Sequence, residues 1–482
     1  MSNPRREHGE ERARPLDGLK DVDLTKREEL DRVLEQLPPH PSVEGDWHRV
    51  LPLIPVELEA TAQDSKALER RREVRGAADL LRLVLAYALC DWPLRIVALW
   101  ACVIGLADLS DVALRKRLRR TKTWMGVLVA ALLLTTHSEL AGRPVRLRLV
   151  DATALSQPGS KGTDWRVHLS VDLSQMGIDG VEITDAHGGE TLARYPVRAG
   201  DILVADRAYC RQGGIGRALS RGGAVVVRTG WQSLILRVEG GQKLDLFEWL
   251  RQVPLTEPAE REVTIQTAEG DYSLRLIARR LSQEAADRAK QQLRRQASKK
   301  GHTLDRRTLE AAGFILLVTN LDSVPWTAPR VLALYRLRWQ VETFFKRLKG
   351  VLCLDGLRAK DPALVQVYLL GKLLGAMLAS RLSRGGPVEC AEWLASVERP
   401  VSPWRWLQLW ADVLRSAVRG ALSLTNLLAT LPRLRRYLCD TPRRRRQQCA
   451  FARCLARLLG QAPPTSQHVA HANPFLLQPT NA

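Results

Sequence analysis

YRLRWQVETFFKRLK, Tyr335 to Lys349, orders more of the chain around itself than any other stretch. It contains no Pro or Gly, so nothing in it breaks a helix. At 100° per residue, Tyr335, Arg338, Glu342, Lys346 and Lys349 fall within an arc of about 80°, with Trp339 at its edge. Leu334, Leu337, Val341, Phe344, Phe345 and Leu348 fill the next arc, about 100° wide, enough to lie on a core. One carboxylate is therefore ringed by cationic and hydrogen-bonding side chains beside the buried face. Two readings of that face stand: intrahelical ion pairs in water, worth about 1 kcal/mol or less each, or a site acting on an anionic substrate.

Length and charge narrow the choice. At 482 residues the chain exceeds one compact domain, and roughly two to four are expected. Composition is that of a folded protein, 45% hydrophobic and 26% charged, yet 73 Lys+Arg face 52 Asp+Glu, a net +21. That surplus points to a polyanionic partner, nucleic acid before a membrane surface. The longest apolar runs, Ile96–Ala107 and Met125–Leu134, fall short of the roughly 20 residues that span a bilayer. MSNPRREHGEERARP has no apolar segment of a secretory signal, so a cytoplasmic location is expected. The eight cysteines are scattered without a CxxC pair; they read as reduced structural thiols, not zinc ligands.

Along the chain, residues 1–62 read as a polar, partly Pro-rich arm with one short helix near Lys26–Gln36. Residues 63–140 are helical. Within them ALWACVIGLADLSDVALRKRLRRTKTW, Ala98 to Trp124, fits a helix-turn-helix presenting Arg115, Lys116, Arg117, Arg119 and Arg120 to a groove, or equally a plain helical hairpin with a basic rim. From 143 to 228 the texture is strands: three β-rich runs, then helix and strand in alternation. Asp151 closes RLRLVD and Asp206 closes ILVAD. A lone Asp at a strand end is ordinarily a turn or cap residue. Residues 229–320 form a β-rich insertion with a very basic helical stretch, and 321–385 carry the opening motif and a long amphipathic helix. Residues 386–482 are helical and Trp-rich, with a basic tail. Those tryptophans are the apolar surface expected to pair two subunits.

The spacing Tyr-x2-Arg-x3-Glu-x6-Lys, with Trp339 after the Arg and Lys346 four residues after the Glu, resembles a known signature. It marks the Tyr-Arg-Glu-Lys (YREK) subgroup of bacterial insertion-sequence DDE transposases, which carry a β-strand insertion domain. DRAY at Asp206 resembles the family's pattern around its second acid. The resemblance implies an α/β fold: a ribonuclease-H-like catalytic core with a β-rich insertion, flanked by N- and C-terminal helical regions. In that fold the first and fourth strands lie parallel and adjacent, so Asp151 and Asp206 would meet. Glu342 would complete a catalytic, metal-binding triad, all three acids within reach of one metal cluster.

Oxygen-only donors suit Mg²⁺ or Mn²⁺ over zinc, and two such ions about 3.5–4 Å apart would clamp a phosphodiester. Tyr335, Arg338, Lys346 and Lys349 would hold DNA phosphates and Trp339 would offer a stacking plane. The insertion would supply an aromatic that stacks a flipped base; Phe314 is the candidate by position, with Trp231 and Trp249 competing. The implied activity is binding of terminal inverted repeats, Mg²⁺-dependent cleavage and strand transfer, by a homodimer in the DNA complex. A ribonuclease-H-like nuclease or resolvase that cuts without joining, and a non-catalytic DNA-binding derivative, remain as alternatives.

Overall fold

A computed structural model describes residues 46–140, 145–384, 388–397, 401–420 and 442–460. The helix expected near Lys26–Gln36 lies outside them. Among the described residues, six helices precede the first strand: α1 (Trp47–Val50), α2 (Leu58–Asp64), α3 (Ala77–Leu89), α4 (Leu94–Val103), α5 (Asp111–Arg120) and α6 (Lys122–Glu139). The end of the polar arm belongs to the core, where Trp47, Val50 and Ile54 are buried. Helix α3, AADLLRLVLAYAL, is apolar almost all round and accordingly buried on nearly every side. Gly105, at φ +67°, ends α4, and the Ser110 hydroxyl caps α5 by accepting from Ala113 N at 3.2 Å. The cations of α5 are partly engaged by the protein itself. Arg117 donates to Arg70 O, Arg119 pairs with Asp361 at 3.3 Å and Arg120 with Glu69 at 3.4 Å. Arg115 and Lys116 are exposed.

Strands β1 (Arg146–Leu155), β2 (Trp165–Asp172) and β3 (Gly177–Asp185) form an antiparallel meander. The chain then returns so that β4 (Asp201–Ala205) lies parallel to β1. After helix α7 (Gln212–Ser220), β5 (Ala224–Arg228) lies parallel to β4. This is the ribonuclease-H-like order. Helix α8 (Leu246–Gln252), strands β6 (Ala259–Thr267) and β7 (Gly270–Arg280), helices α9 (Gln283–Lys300) and α10 (Arg306–Ala311), and strand β8 (Phe314–Thr319) follow. The β-rich insertion does not fold apart from the core. β8 pairs antiparallel with β5, and β7 with β8, giving one eight-stranded sheet in the order β3-β2-β1-β4-β5-β8-β7-β6.

Side chains alternate across this sheet with period two. Leu147, Leu149, Ile202 and Val204 enter the larger core with the helices. Val150, Leu203 and Ala205 enter a second core on the opposite face.

The opening motif is two helices, α11 (Ala328–Arg336) and α12 (Trp339–Leu352), where the sequence suggested one. At the junction the bonds tighten to i→i−3: Arg338 N to Tyr335 O at 3.0 Å, Gln340 N to Leu337 O at 2.9 Å, Val341 N to Arg338 O at 3.1 Å. Such bonding winds the chain faster and eclipses residues three apart. Tyr335 and Arg338 are thereby aligned, while Leu337 turns into the core at 4% exposure. No single residue type forces this junction.

Helices α13 (Pro362–Arg384), α14 (Val388–Ser396), α15 (Pro403–Arg419) and α16 (Pro442–Leu458) complete the described chain. Pro362–Ser383 is long and apolar enough to cross a bilayer, but 78% of its most apolar window is buried inside the protein, which marks a core helix. It lies close against α3 through Gly371 and Gly375. Its buried Lys372 reaches Asp91 Oδ1 at 2.7 Å, as does the Tyr368 hydroxyl. Of the C-terminal tryptophans, Trp404 is 40% exposed and the other three are turned inward. Trp406 and Trp410 are fully buried in the chain's own core, and Trp393 stacks on Trp406 at 5.9 Å. The apolar area of Trp393, Trp406 and Trp410 is taken up within one chain, so these three are not the pairing surface that the sequence suggested.

Two glycines in helices should respond oppositely to alanine. A Cβ at Gly371 would lie 2.6 Å from Ala88 Cβ, whereas one at Gly126 in α6 meets nothing within 4 Å. Gly126→Ala should stabilise by about 0.5–1 kcal/mol. Gly371→Ala should destabilise, because overpacking of about 1–3 kcal/mol exceeds the same propensity gain. Urea midpoints that shift upward for both would refute the close α3–α13 packing.

Candidate active site

Leu149 is the last residue of β1 paired with β4, opposite Val204. Two residues further along the parallel strands stand Asp151 and Asp206, both on the face of the larger core. Asp151 Oδ1 accepts from Ala152 N at 2.8 Å, and Asp206 Oδ1 accepts from Ala208 N at 2.8 Å, capping the turn Arg207–Tyr209. Each carboxylate thus has one oxygen fixed by backbone. Beneath them, on the other face, a buried ion network anchors the register. Arg146 pairs with Asp201, opposite it on β4, and Arg148 bridges Asp179 at 2.8 Å and Asp201 at 3.0 Å. Arg146 donates to His137 Nδ1 at 2.9 Å, so His137 carries its proton on Nε2 and donates to Asp179 O at 2.7 Å.

Glu342 lies on the first turn of α12, and Arg338 at the start of that helix connects it to the strands. The guanidinium donates to Glu342 Oε1 and stands 3.6 Å from Asp151 Oδ2. It also stacks on Tyr335 with 6.0 Å between charge and ring centre. Burial is the main force on Asp151, pushing its pKa up to about 7. The Ala152 N–H and Arg338 oppose the rise, and the charge of Asp206 adds to it. A fourth acid, Glu190, is also raised by burial and then by Asp206. Burial likewise raises the Tyr335 hydroxyl, against the pull of Arg338 and Arg228.

The three acids do not form one metal-sized cluster. Among the described residues, no three His, Cys, Asp or Glu side chains are so grouped. Asp151 and Asp206 stand at neighbouring ends of parallel strands, where the charge of Asp206 acts on Asp151, while Glu342 is engaged by Arg338. The donor set still fits a hard cation. All its atoms are carboxylate oxygens, its most buried member is under-compensated as an anion, and the cation present between Asp151 and Glu342 is the protein's own guanidinium.

A cleft of about 500 Å³ opens beside the acids. Asp206, Arg228, Trp231, Tyr335 and Arg338 line it, with Gln292 and Gln296 of α9 across from them. Trp231 is half-buried, fixed by its N–H to Thr308 Oγ1 at 3.1 Å and by Arg307 4.4 Å over its ring. Phe314 also borders the cleft but is 7% exposed, with Arg280 4.8 Å over its ring. Trp249 is buried in the second core. Trp339 is 51% exposed; it, Lys346 and Lys349 lie along α12 outside the cleft lining. Arg228 and Glu190 were not singled out from the sequence. Arg228 closes AVVVR on the strand next to β4, so the same strand-end logic that found Asp206 reaches it. Glu190 sits in a Gly-rich loop and has no such signal.

Residues 144–378 match the family described as Transposase DDE domain. With 40% identity over 343 residues to InsL, for insertion sequence element IS186A of Escherichia coli (strain K12), the chain belongs to the DDE transposases of bacterial insertion sequences. That match covers 69% of this chain and 92% of InsL. The transposase for insertion sequence element IS421 of Escherichia coli is also 40% identical, over 344 residues and the same shares of both chains. Among solved structures, the cryo-EM structure of the piggyBac transposase synaptic complex with hairpin DNA is similar at a TM-score of 0.39 and 11% identity, over 82% of this chain and 86% of that one.

Burial of Asp151 gives a signed prediction. Its folded pKa is raised to about 7 from about 3.9 in an unfolded chain. Between those values the unfolded state is ionised and the folded state protonated, so a stability penalty grows from pH 4 and is complete above 7. Asp151→Asn removes it. In metal-free, DNA-free protein, the Tm gain of the variant should be small at pH 4.5 and largest at pH 8. A difference that is flat with pH would show that Asp151 is solvated.

Proposed function

We propose that the protein binds the terminal inverted repeats of its own element, cleaves DNA there and joins the ends to target DNA, with Asp151, Asp206 and Glu342 as the catalytic acids. The observation that supports this reading most is the parallel pairing of β1 and β4, with Asp151 and Asp206 at neighbouring strand ends facing Arg338 and Glu342. The acids would hold Mg²⁺ or Mn²⁺; two such ions, when bound, polarise the phosphodiester and lower the pKa of the attacking water or 3′-hydroxyl. No covalent protein nucleophile is needed.

The chain's own residues position the substrate. Arg338 holds Glu342 and Asp151 in the DNA-free protein, and a backbone phosphate competes for the same planar guanidinium. Transfer of Arg338 to phosphate frees Glu342 to join the two aspartates. Tyr335 donates a hydrogen bond to a phosphate oxygen, its hydroxyl kept protonated by burial. Arg228 adds a second cation on the cleft wall. Lys346 and Lys349, further along α12, draw the strand toward the cleft. Trp231 offers a more accessible ring than Phe314 for stacking an extruded base, with Trp339 at the outer rim. These contacts place the strand and carry no sequence information by themselves. Repeat recognition falls to the N-terminal helices, where Arg115 and Lys116 of α5 remain free to meet a groove.

Membership of the Tyr-Arg-Glu-Lys subgroup is part of this proposal, as is a homodimer on paired ends, one acid triad per end. A cytoplasmic site of action, at the nucleoid, goes with it. Joining as well as cutting is favoured over a nuclease by the relatives' names. The presence of all three acids argues against a non-catalytic derivative.

Asp151→Ala, Asp206→Ala and Glu342→Ala should each abolish Mg²⁺-dependent nicking of a duplex bearing the element's end, while gel-shift affinity for that duplex stays within a few-fold. Normal nicking by any one variant removes that residue from the triad. For Arg338→Ala and Lys349→Ala, log K against log[salt] should flatten by about 0.9 for each lost phosphate contact. Unchanged slopes would return this helix face to plain surface ion pairing.

A further inference from the structure

Helix α9 divides two cavities. Toward the catalytic cleft it presents Ala289, Gln292, Leu293 and Gln296, a face without charge. Beside that face lies a larger hollow of about 690 Å³ whose walls hold Arg251, Arg279, Arg280, Lys290 and Arg336 against one acid, Glu310. The two hollows are neighbours along α9. Phe314 borders both, and at the end of α11 Tyr335 lines the first while Arg336 lines the second.

The five cations differ in how firmly the protein uses them. Arg280 is structural: it donates to Val253 O at 3.0 Å and Leu250 O at 3.2 Å and covers Phe314. Arg251 lies 3.8 Å from Glu310, and Lys290 3.8 Å from Asp287, both loose pairs. Arg279 and Arg336 have no carboxylate within ion-pair distance among the described residues. A concave site that gathers like charges works against its own fold unless an anion compensates. A small anion would need only one or two of them; an array spread along a wall suits a polymer of phosphates.

We propose that this hollow is a second DNA-backbone groove, distinct from the catalytic cleft and joined to it around Phe314 and the end of α11. It rests on the DNA-cleaving reading above and extends it: one stretch of backbone lies at the acids while another is held along the neighbouring side of α9. That second stretch is either the continuation of the element's own end or the acceptor duplex.

The test is the double variant Arg279→Ala/Arg336→Ala in the full-length protein, with Arg279→Gln/Arg336→Gln as a milder partner. Neither residue carries an ion pair among the described residues, so thermal melting should match wild type. Anisotropy titrations across salt use an end duplex, and an unrelated duplex added to protein already saturated with a short end duplex. Loss of about two phosphate contacts should flatten the log–log slope by about 1.8. Nicking of the end duplex at saturating protein should be unchanged. Flattening on the long end duplex identifies the groove with the continuing end, and flattening only on the added duplex identifies it with the acceptor. Unchanged slopes on both overturn the proposal. So does equal competition by millimolar inorganic phosphate in wild type and both variants. Absence of nicking in wild type would count against the catalytic reading, while the slope difference would still decide the groove.

Discussion

The parallel pairing of β1 with β4 is the constraint on which the rest depends. It sets two carboxylates at neighbouring strand ends in the middle of the sheet, where burial, with the charge of Asp206 adding to it, opposes the ionisation of Asp151. The fold tolerates this because the strands are held from below. The Arg146–Asp201–Arg148–Asp179 network crosses the same two strands on the opposite face, fully buried and paired throughout. Removing one member of such a network typically costs about 3–5 kcal/mol by stranding its partner. The register that aligns Asp151 with Asp206 is thus fixed by charges that take no part in the chemistry.

Arg338 provides the counter-charge from above. Its place follows from the tightened junction between α11 and α12, which aligns it with Tyr335 and turns it toward the strands. From there it touches both Asp151 and Glu342. A cation supplied by the chain is a way to keep an acidic site folded before substrate arrives, and it leaves Glu342 coupled to whatever next claims the guanidinium. The insertion adds walls to this site. Because β8 pairs with β5 and carries β7 and β6 with it, the sheet extends sideways, and α9 and Trp231 close one side of the cleft.

The positions of the three proposed acids were legible because strand ends and motif spacing are local properties. Asp151 and Asp206 each close an apolar run, and Glu342 sits at a fixed distance from Tyr335, Arg338 and Lys349. The succession of strands and helices was legible too, but the adjacency of β1 and β4 came only from the family resemblance. The break between α11 and α12 was not legible, since no Pro or Gly announces it and the change is a matter of hydrogen-bond register. Nor was the fate of Trp393, Trp406 and Trp410: an apolar helix face reads the same whether it meets its own core or a partner. The grouping of Arg251, Arg279, Lys290 and Arg336 joins residues up to 85 positions apart, which only the folded sheet brings together.

The most direct test of the account is the position of the metal. Fe²⁺ substituted for Mg²⁺, with added hydrogen peroxide and ascorbate, generates hydroxyl radicals that cut the polypeptide near the bound ion. In the presence of end DNA, cuts should map beside Asp151, Asp206 and Glu342, and the Asp151→Ala variant should lose all three. Without DNA, the cut beside Glu342 should be weak, because Arg338 holds that carboxylate. Cleavage confined to other regions, or equally strong beside Glu342 with and without DNA, would contradict the account.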